Sequence, residues 1–101
     1  MLLYKKILIK LIVNNISIST AESCTGGLLA YSLTKNKDCS KVFMGGYITY
    51  SNKSKIKDLN VKEETLNKFG AVSQNVAKEM VYGLYFKKKT DICIAITGIA
   101  G

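Results

Sequence analysis

The chain has 101 residues, 48% apolar and 22% charged, which allows at most one domain with a modest core and excludes an intrinsically disordered chain. Its formal charge of +8 rests on lysine in a background rich in Asn and Ile and empty of Pro, Trp and His, a pattern base bias also produces. Charge alone therefore assigns no anionic partner. The three cysteines, Cys24, Cys39 and Cys93, lack CxxC spacing and have no histidine beside them, which excludes a zinc site and fits reduced thiols in a cytoplasm.

In the first segment, Leu3, Ile7 and Leu11, with Leu8 and Ile12 between them, recur at helical spacing up to Val13. Lys5, Lys6 and Lys10 interrupt this run, so it is too short and too charged to span a bilayer, and no small-residue cleavage site marks a signal peptide. No membrane partner is expected. Asn14-Asn15 can take the left-handed conformation that ends a helix. Ile16, Ile18 and Thr20 then alternate with Ser17 and Ser19, predicting the first strand. The small polar run from Ala21 to Gly27 leads into an apolar helix beginning at Leu28, so this stretch reads as strand, tight turn, helix.

Asn36 to Lys41 form a polar loop, and Val42 to Tyr50, aromatic and β-branched around Gly45-Gly46, predict one bulged strand or two short ones. A short helix over 52–59 and another over 62–69, stopped by Gly70, come next. Ser73 is the expected N-cap of a long helix over 74–89, with Val76, Met80, Val81 and Leu84 on its buried stripe and Lys87, Lys88 and Lys89 complementing the dipole at its end. Asp91 to Thr97 are almost continuously apolar, as in a strand covered on both faces. Strands alternating with helices imply a three-layer α/β/α domain with a largely parallel or mixed sheet. Because the given chain stops just after its most apolar strand, the expectation is one partial domain over 1–101, incomplete at its C-terminal end.

Chemistry is expected at the turn. Ser23 falls where a strand hands over to a helix, and Gly26-Gly27 would let backbone amides approach an anion closely. The same Glu22, Ser23 and Thr25 are also what a helix cap requires. A serine nucleophile needs a base, and without histidine the candidates are Lys and Tyr. Tyr50 closes a strand, and Lys55 lies one turn into the next helix on the side of Leu59, away from Lys53 and Lys57. Lysine at its ordinary pKa of ~10.4 is only about 0.04% neutral at pH 7. A working base near pH 7 or 8 implies a shift worth about 3 to 5 kcal/mol, which requires a closed pocket. A second glycine loop, Thr97-Gly98-Ile99-Ala100-Gly101, also follows a strand, and two such loops suggest one crevice at the strand ends.

Four ordered blocks, Thr20 to Gly27, Gly45-Gly46 through Tyr50-Ser51-Asn52 to Lys55, Gly70 to Ser73, and Thr97 to Gly101, closely resemble the CinA C-terminal domain family, whose characterised members are nicotinamide mononucleotide deamidases. The resemblance covers essentially the whole chain. It implies hydrolysis of nicotinamide mononucleotide to nicotinate mononucleotide and ammonia in pyridine nucleotide recycling, without metal or cofactor. Ser23 would be the nucleophile, Lys55 its general base and Tyr50 an assistant, while Thr25, Gly26, Gly27, Gly46, Thr97 and Gly98 would line the substrate site. The expected partner is this phosphorylated small molecule in the cytoplasm, not nucleic acid or membrane; self-association is left open. Family members continue past the Thr97 to Gly101 block with a Pro- and Gly-rich stretch and further strands. A non-catalytic nucleotide-binding module, or an inactive relic of the family, is the alternative. A basic RNA-binding domain is a third reading, which the lack of aromatic platform motifs disfavours.

Overall fold

A computed structural model describes residues 2–99. Met1, Ala100 and Gly101 lie outside the described residues, and with them the last two positions of the second glycine loop.

The first helix, α1 (Leu2–Val13), ends where Asn15 takes a left-handed φ of 54° and the Asn14 side chain donates to the Lys10 carbonyl at 2.8 Å. Leu8 and Leu11 are its buried residues, with Tyr4 and Ile12 packed beside them. Leu3 and Ile7, expected on the core stripe, are exposed instead. The helix carries apolar residues all round, so spacing alone cannot select the face that meets the sheet.

Strand β1 (Ile18–Glu22) starts and ends two residues later than the alternation suggested, and all five of its residues are buried. Its Ser19 and Thr20 are enclosed with the rest because β1 is the middle strand of a parallel sheet with order β2-β1-β3, where helices cover both faces. After the turn come α2 (Leu28–Thr34) and a short 3-10 turn (Cys39–Lys41). Next is β2 (Phe43–Ile48), one bulged strand. Its pairing jumps from Ile18 opposite Phe43 to Thr20 opposite Gly46, so three residues of β2 oppose two of β1, and Gly45 absorbs the excess at a φ of 109°. The extra residue reverses the facing of the rest of the strand. Phe43 packs toward α1 and α2, whereas Tyr47, four positions on, packs toward the opposite layer.

That opposite layer consists of α3 (Asn52–Leu59), α4 (Glu63–Phe69) and α5 (Gln74–Lys88). Ser51 and Ser73 cap α3 and α5 by accepting from the amides of Ser54 and Val76, and Gly70 stops α4. Val76, Met80 and Leu84 are fully buried, as expected; Val81 is only half-buried, and Gly83 takes the remaining inner position. A Cβ on Gly83 would lie 2.0 Å from the Leu59 carbonyl oxygen, so the end of α3 crosses α5 at a contact only glycine allows.

Strand β3 (Ile92–Ile96) alternates Ile92 and Ile94 toward the α1/α2 layer with Cys93 and Ala95 toward α5. All five residues are half-buried, not fully enclosed as their apolar run suggested, because the strand order puts β3 at the edge of the described sheet. The result is the expected three-layer α/β/α arrangement with two cores. One holds Leu8, Leu11, Ile18, Leu33, Cys39 and Val42, and the other Ala21, Leu59, Val61, Leu66, Val76, Met80 and Leu84. Among the described residues no helix is long and apolar enough to cross a membrane.

Candidate active site

Side chains alternate along a strand, so Glu22 and Ser23 at the end of the central strand leave on opposite faces of the sheet. Glu22 turns to α2 and Ser23 to α3. Each finds its partner there.

Glu22 is 1% exposed, yet its carboxylate is fully engaged. Oε1 accepts from Thr25 Oγ1 at 2.7 Å and from the Leu29 amide at 2.9 Å, and Oε2 accepts from the Ala30 amide at 2.9 Å. Burial would push the carboxyl up, but the Thr25 hydroxyl and the amides of Ala30, Leu29 and Gly27 outweigh it and hold the group below the usual carboxylate range. The capping role thus falls to Glu22 with Thr25, not to Ser23. The amides of Leu29 and Ala30, which a helix N-terminus would offer to an oxyanion or phosphate, are already taken by this internal carboxylate.

Ser23 is 5% exposed, and its amide donates to the Ile96 carbonyl at 3.0 Å, tying the turn to the end of β3. Its Oγ lies 2.9 Å from Lys55 Nζ. Lys55, 2% exposed, shares the inner side of α3 with fully buried Leu59 four residues on, while Lys53 and Lys57 face solvent. The amine also donates to the carbonyl of Thr49 at 2.9 Å and, more loosely, to that of Tyr50 at 3.5 Å. Burial pushes the Lys55 amine below the ordinary lysine range, partly opposed by Cys24 beside it. Carbonyl oxygens can only accept. An uncharged amine therefore spends its two N–H groups on Thr49 and Tyr50 and turns its lone pair toward the Ser23 hydroxyl, the orientation a general base requires.

Tyr50 enters this cluster through its main chain; its ring is 68% exposed. Gly26 and Gly27 take φ values of 60° and 104°, so the turn after Ser23 needs both glycines. Thr25 is occupied by Glu22. Thr97 Oγ1 donates to the Ala71 carbonyl at 2.8 Å, which fastens the second loop to the Gly70 to Ser73 block. A Cβ on Gly98 would sit 3.2 Å from Cys24 Sγ, so the two glycine loops meet at the ends of β1 and β3. Gly46 does not join them. It pairs with Thr20 inside the sheet, where a Cβ would lie 2.0 Å from the Thr20 carbonyl oxygen, and its missing side chain is a packing requirement. No cluster of metal-ligating side chains is found among the described residues.

One contributor escaped the sequence reading: the Thr49 carbonyl is a main-chain group that no motif reveals.

A family model described as the CinA C-terminal domain matches residues 2–101. A CinA-like protein of Petrotoga mobilis is 52% identical over 85 residues, covering 84% of this chain and 21% of the relative. One of Kosmotoga olearia is 57% identical over 86 residues, covering 85% and 21%. The crystal structure of the competence/damage inducible protein CihA from Agrobacterium tumefaciens superposes with a TM-score of 0.95 at 41% identity over 98% of this chain and 60% of that one. A competence-damaged protein (CinA) superfamily protein from Escherichia coli gives 0.93 at 38% identity over 98% and 58%. The chain thus spans about a fifth of the length of these curated relatives and about three-fifths of the solved ones.

Proposed function

The chain belongs to the CinA C-terminal domain family, and on that footing we propose that it is an amidohydrolase that converts nicotinamide mononucleotide and water to nicotinate mononucleotide and ammonia, with Ser23 as nucleophile and Lys55 as general base. The observation that carries this reading is the 2.9 Å contact between two buried groups, the Ser23 hydroxyl and a Lys55 amine whose burial favours its neutral form.

In the first half-reaction neutral Lys55 takes the Ser23 proton as Oγ adds to the carboxamide carbon. The resulting ammonium returns that proton to the departing nitrogen, the C–N bond breaks, and ammonia leaves an ester on Ser23. Water then gives a proton to Lys55 and adds to the ester carbon; the proton passes to Ser23 Oγ as the C–O bond breaks, and the carboxylic acid released gives its proton to solvent to become the carboxylate product. Each half-reaction returns Lys55 to its neutral form. Glu22 keeps the turn that carries the nucleophile in place by accepting from Thr25 and from the amides of Leu29 and Ala30.

Ammonia release from nicotinamide mononucleotide by the intact chain tests this directly. Ser23→Ala and Lys55→Met each reduce turnover by at least about 100-fold, whereas undiminished turnover in either removes the dyad. Calorimetric binding by a wild-type chain with no turnover would refute catalysis and leave a nucleotide-binding module.

A further inference from the structure

Helix α5 presents to solvent a stripe that neither the core nor the candidate active site uses. Lys78, Tyr82, Tyr85, Phe86 and Lys89 follow one another at helical spacings of four, three, one and three, and all are exposed. The three aromatic residues are 69%, 54% and 69% accessible and lie side by side, the kind of contiguous exposed patch that marks an interaction surface. Lys89 Nζ stands 5.7 Å from the Tyr85 ring centre and 5.3 Å from that of Phe86, so cation and rings form one surface. Beside it, Tyr82 and Phe86 border a shallow depression closed on its far side by Asn60 and Lys62. The single acidic group lining it, Glu79, is held by the protein itself: its carboxylate accepts from the Lys62 amide at 2.8 Å and from Thr65 Oγ1 at 2.6 Å, with the Lys62 charge near it.

We infer that this stripe is a docking surface for single-stranded nucleic acid, whose bases stack on Tyr82, Tyr85 and Phe86 while its phosphates meet Lys62, Lys78 and Lys89. Charge selects the occupant. Lys78 and Lys89 at the two ends of the stripe, with Lys62 beside it, repel a second copy of this face and attract a polyanion. Flat, uncovered rings then favour a ligand that offers a flat face at each step, which an unpaired base does and an acidic side chain does not. The stripe runs about 16 Å, eleven rises of ~1.5 Å from Lys78 to Lys89, enough for a few splayed nucleotides. Sequence reading set nucleic acid aside for want of an aromatic platform motif, but here the platform is a helix face assembled at spacings no strand-based motif shares.

Fluorescence anisotropy of a short dye-labelled oligouridylate with the intact chain is the test. Binding should weaken with added salt, with a logarithmic slope of about −2 for three phosphate contacts on a single strand. Tyr82→Ala and Phe86→Ala should each weaken it roughly 5- to 150-fold, with thermal midpoints unchanged because both rings are exposed. Lys78→Gln should reduce the slope by about 0.7. Four results would overturn the inference: no binding at low salt, affinity indifferent to both ring substitutions, displacement of the oligonucleotide by polyglutamate at equal affinity, or a dimer in sedimentation equilibrium that the ring substitutions dissolve.

Discussion

Replacing Glu22 by Gln alters one atom of the buried carboxylate that organises the turn carrying Ser23. Oε1 can survive as the amide oxygen, still accepting from Thr25 and Leu29, but Oε2 becomes an NH2 group facing the Ala30 amide, donor against donor. Flipping the amide only moves the mismatch to the Leu29 amide, since the Thr25 hydroxyl can turn to accept. One charge-assisted bond, worth about 1.5 to 3 kcal/mol, is lost, and the other two fall to neutral strength, so the total cost is about 2 to 4 kcal/mol. For a chain of this size that corresponds to a drop in Tm of roughly 8 to 30 °C. Urea unfolding followed by circular dichroism at pH 7 measures it. The sign of the pH dependence gives a second check: a carboxyl held below its unfolded value stabilises the fold above about pH 4.3 and loses that contribution as pH falls through its folded pKa. Protonated Glu22 then presents the same mismatch as Gln, and the gap between wild type and variant should close in acid. A variant as stable as wild type at pH 7, or a gap unchanged by acid, would refute the reasoning.

Gly83→Ala forces a Cβ against the Leu59 main chain, where no side chain can move aside, and should cost about 1 to 3 kcal/mol in urea midpoint despite the better helix propensity of alanine; a stabilised variant would show that α3 and α5 are free to separate. The kcat/KM for nicotinamide mononucleotide should rise with pH as Lys55 loses its proton, with a midpoint below the ordinary ~10.4 of lysine. A pH-independent rate, or a midpoint at the ordinary value, would remove Lys55 as the base.

Much of this arrangement was legible because local signals agreed with the tertiary outcome. Ser73 and Gly70 bound their helices as their chemistry dictates, and Gly45-Gly46 in an aromatic run pointed to a bulge or a break, of which the structure shows the bulge. The inward turn of Lys55 followed from its four-residue spacing to Leu59. What was not legible depends on which elements become neighbours. The strand order β2-β1-β3 decides that β1 is enclosed and β3 is not, and nothing within Ile92 to Ile96 encodes that position. The reasons for Gly46 and Gly83 reside in Thr20 and Leu59, remote in sequence, so a glycine attributed to a ligand turned out to serve a strand contact. Tyr50 was chosen for its phenol, but a main-chain oxygen is what it brings to Lys55.

The most direct measurement is covalent. An aryl sulfonyl fluoride reports the reactivity of the Ser23 hydroxyl without reliance on any substrate, and intact-mass spectrometry with peptide mapping locates the adduct. The account predicts labelling at Ser23 that accelerates with pH at a midpoint below ~10.4 and is lost in Lys55→Met. Labelling at the wild-type rate in Lys55→Met, or an adduct on another residue alone, would contradict it.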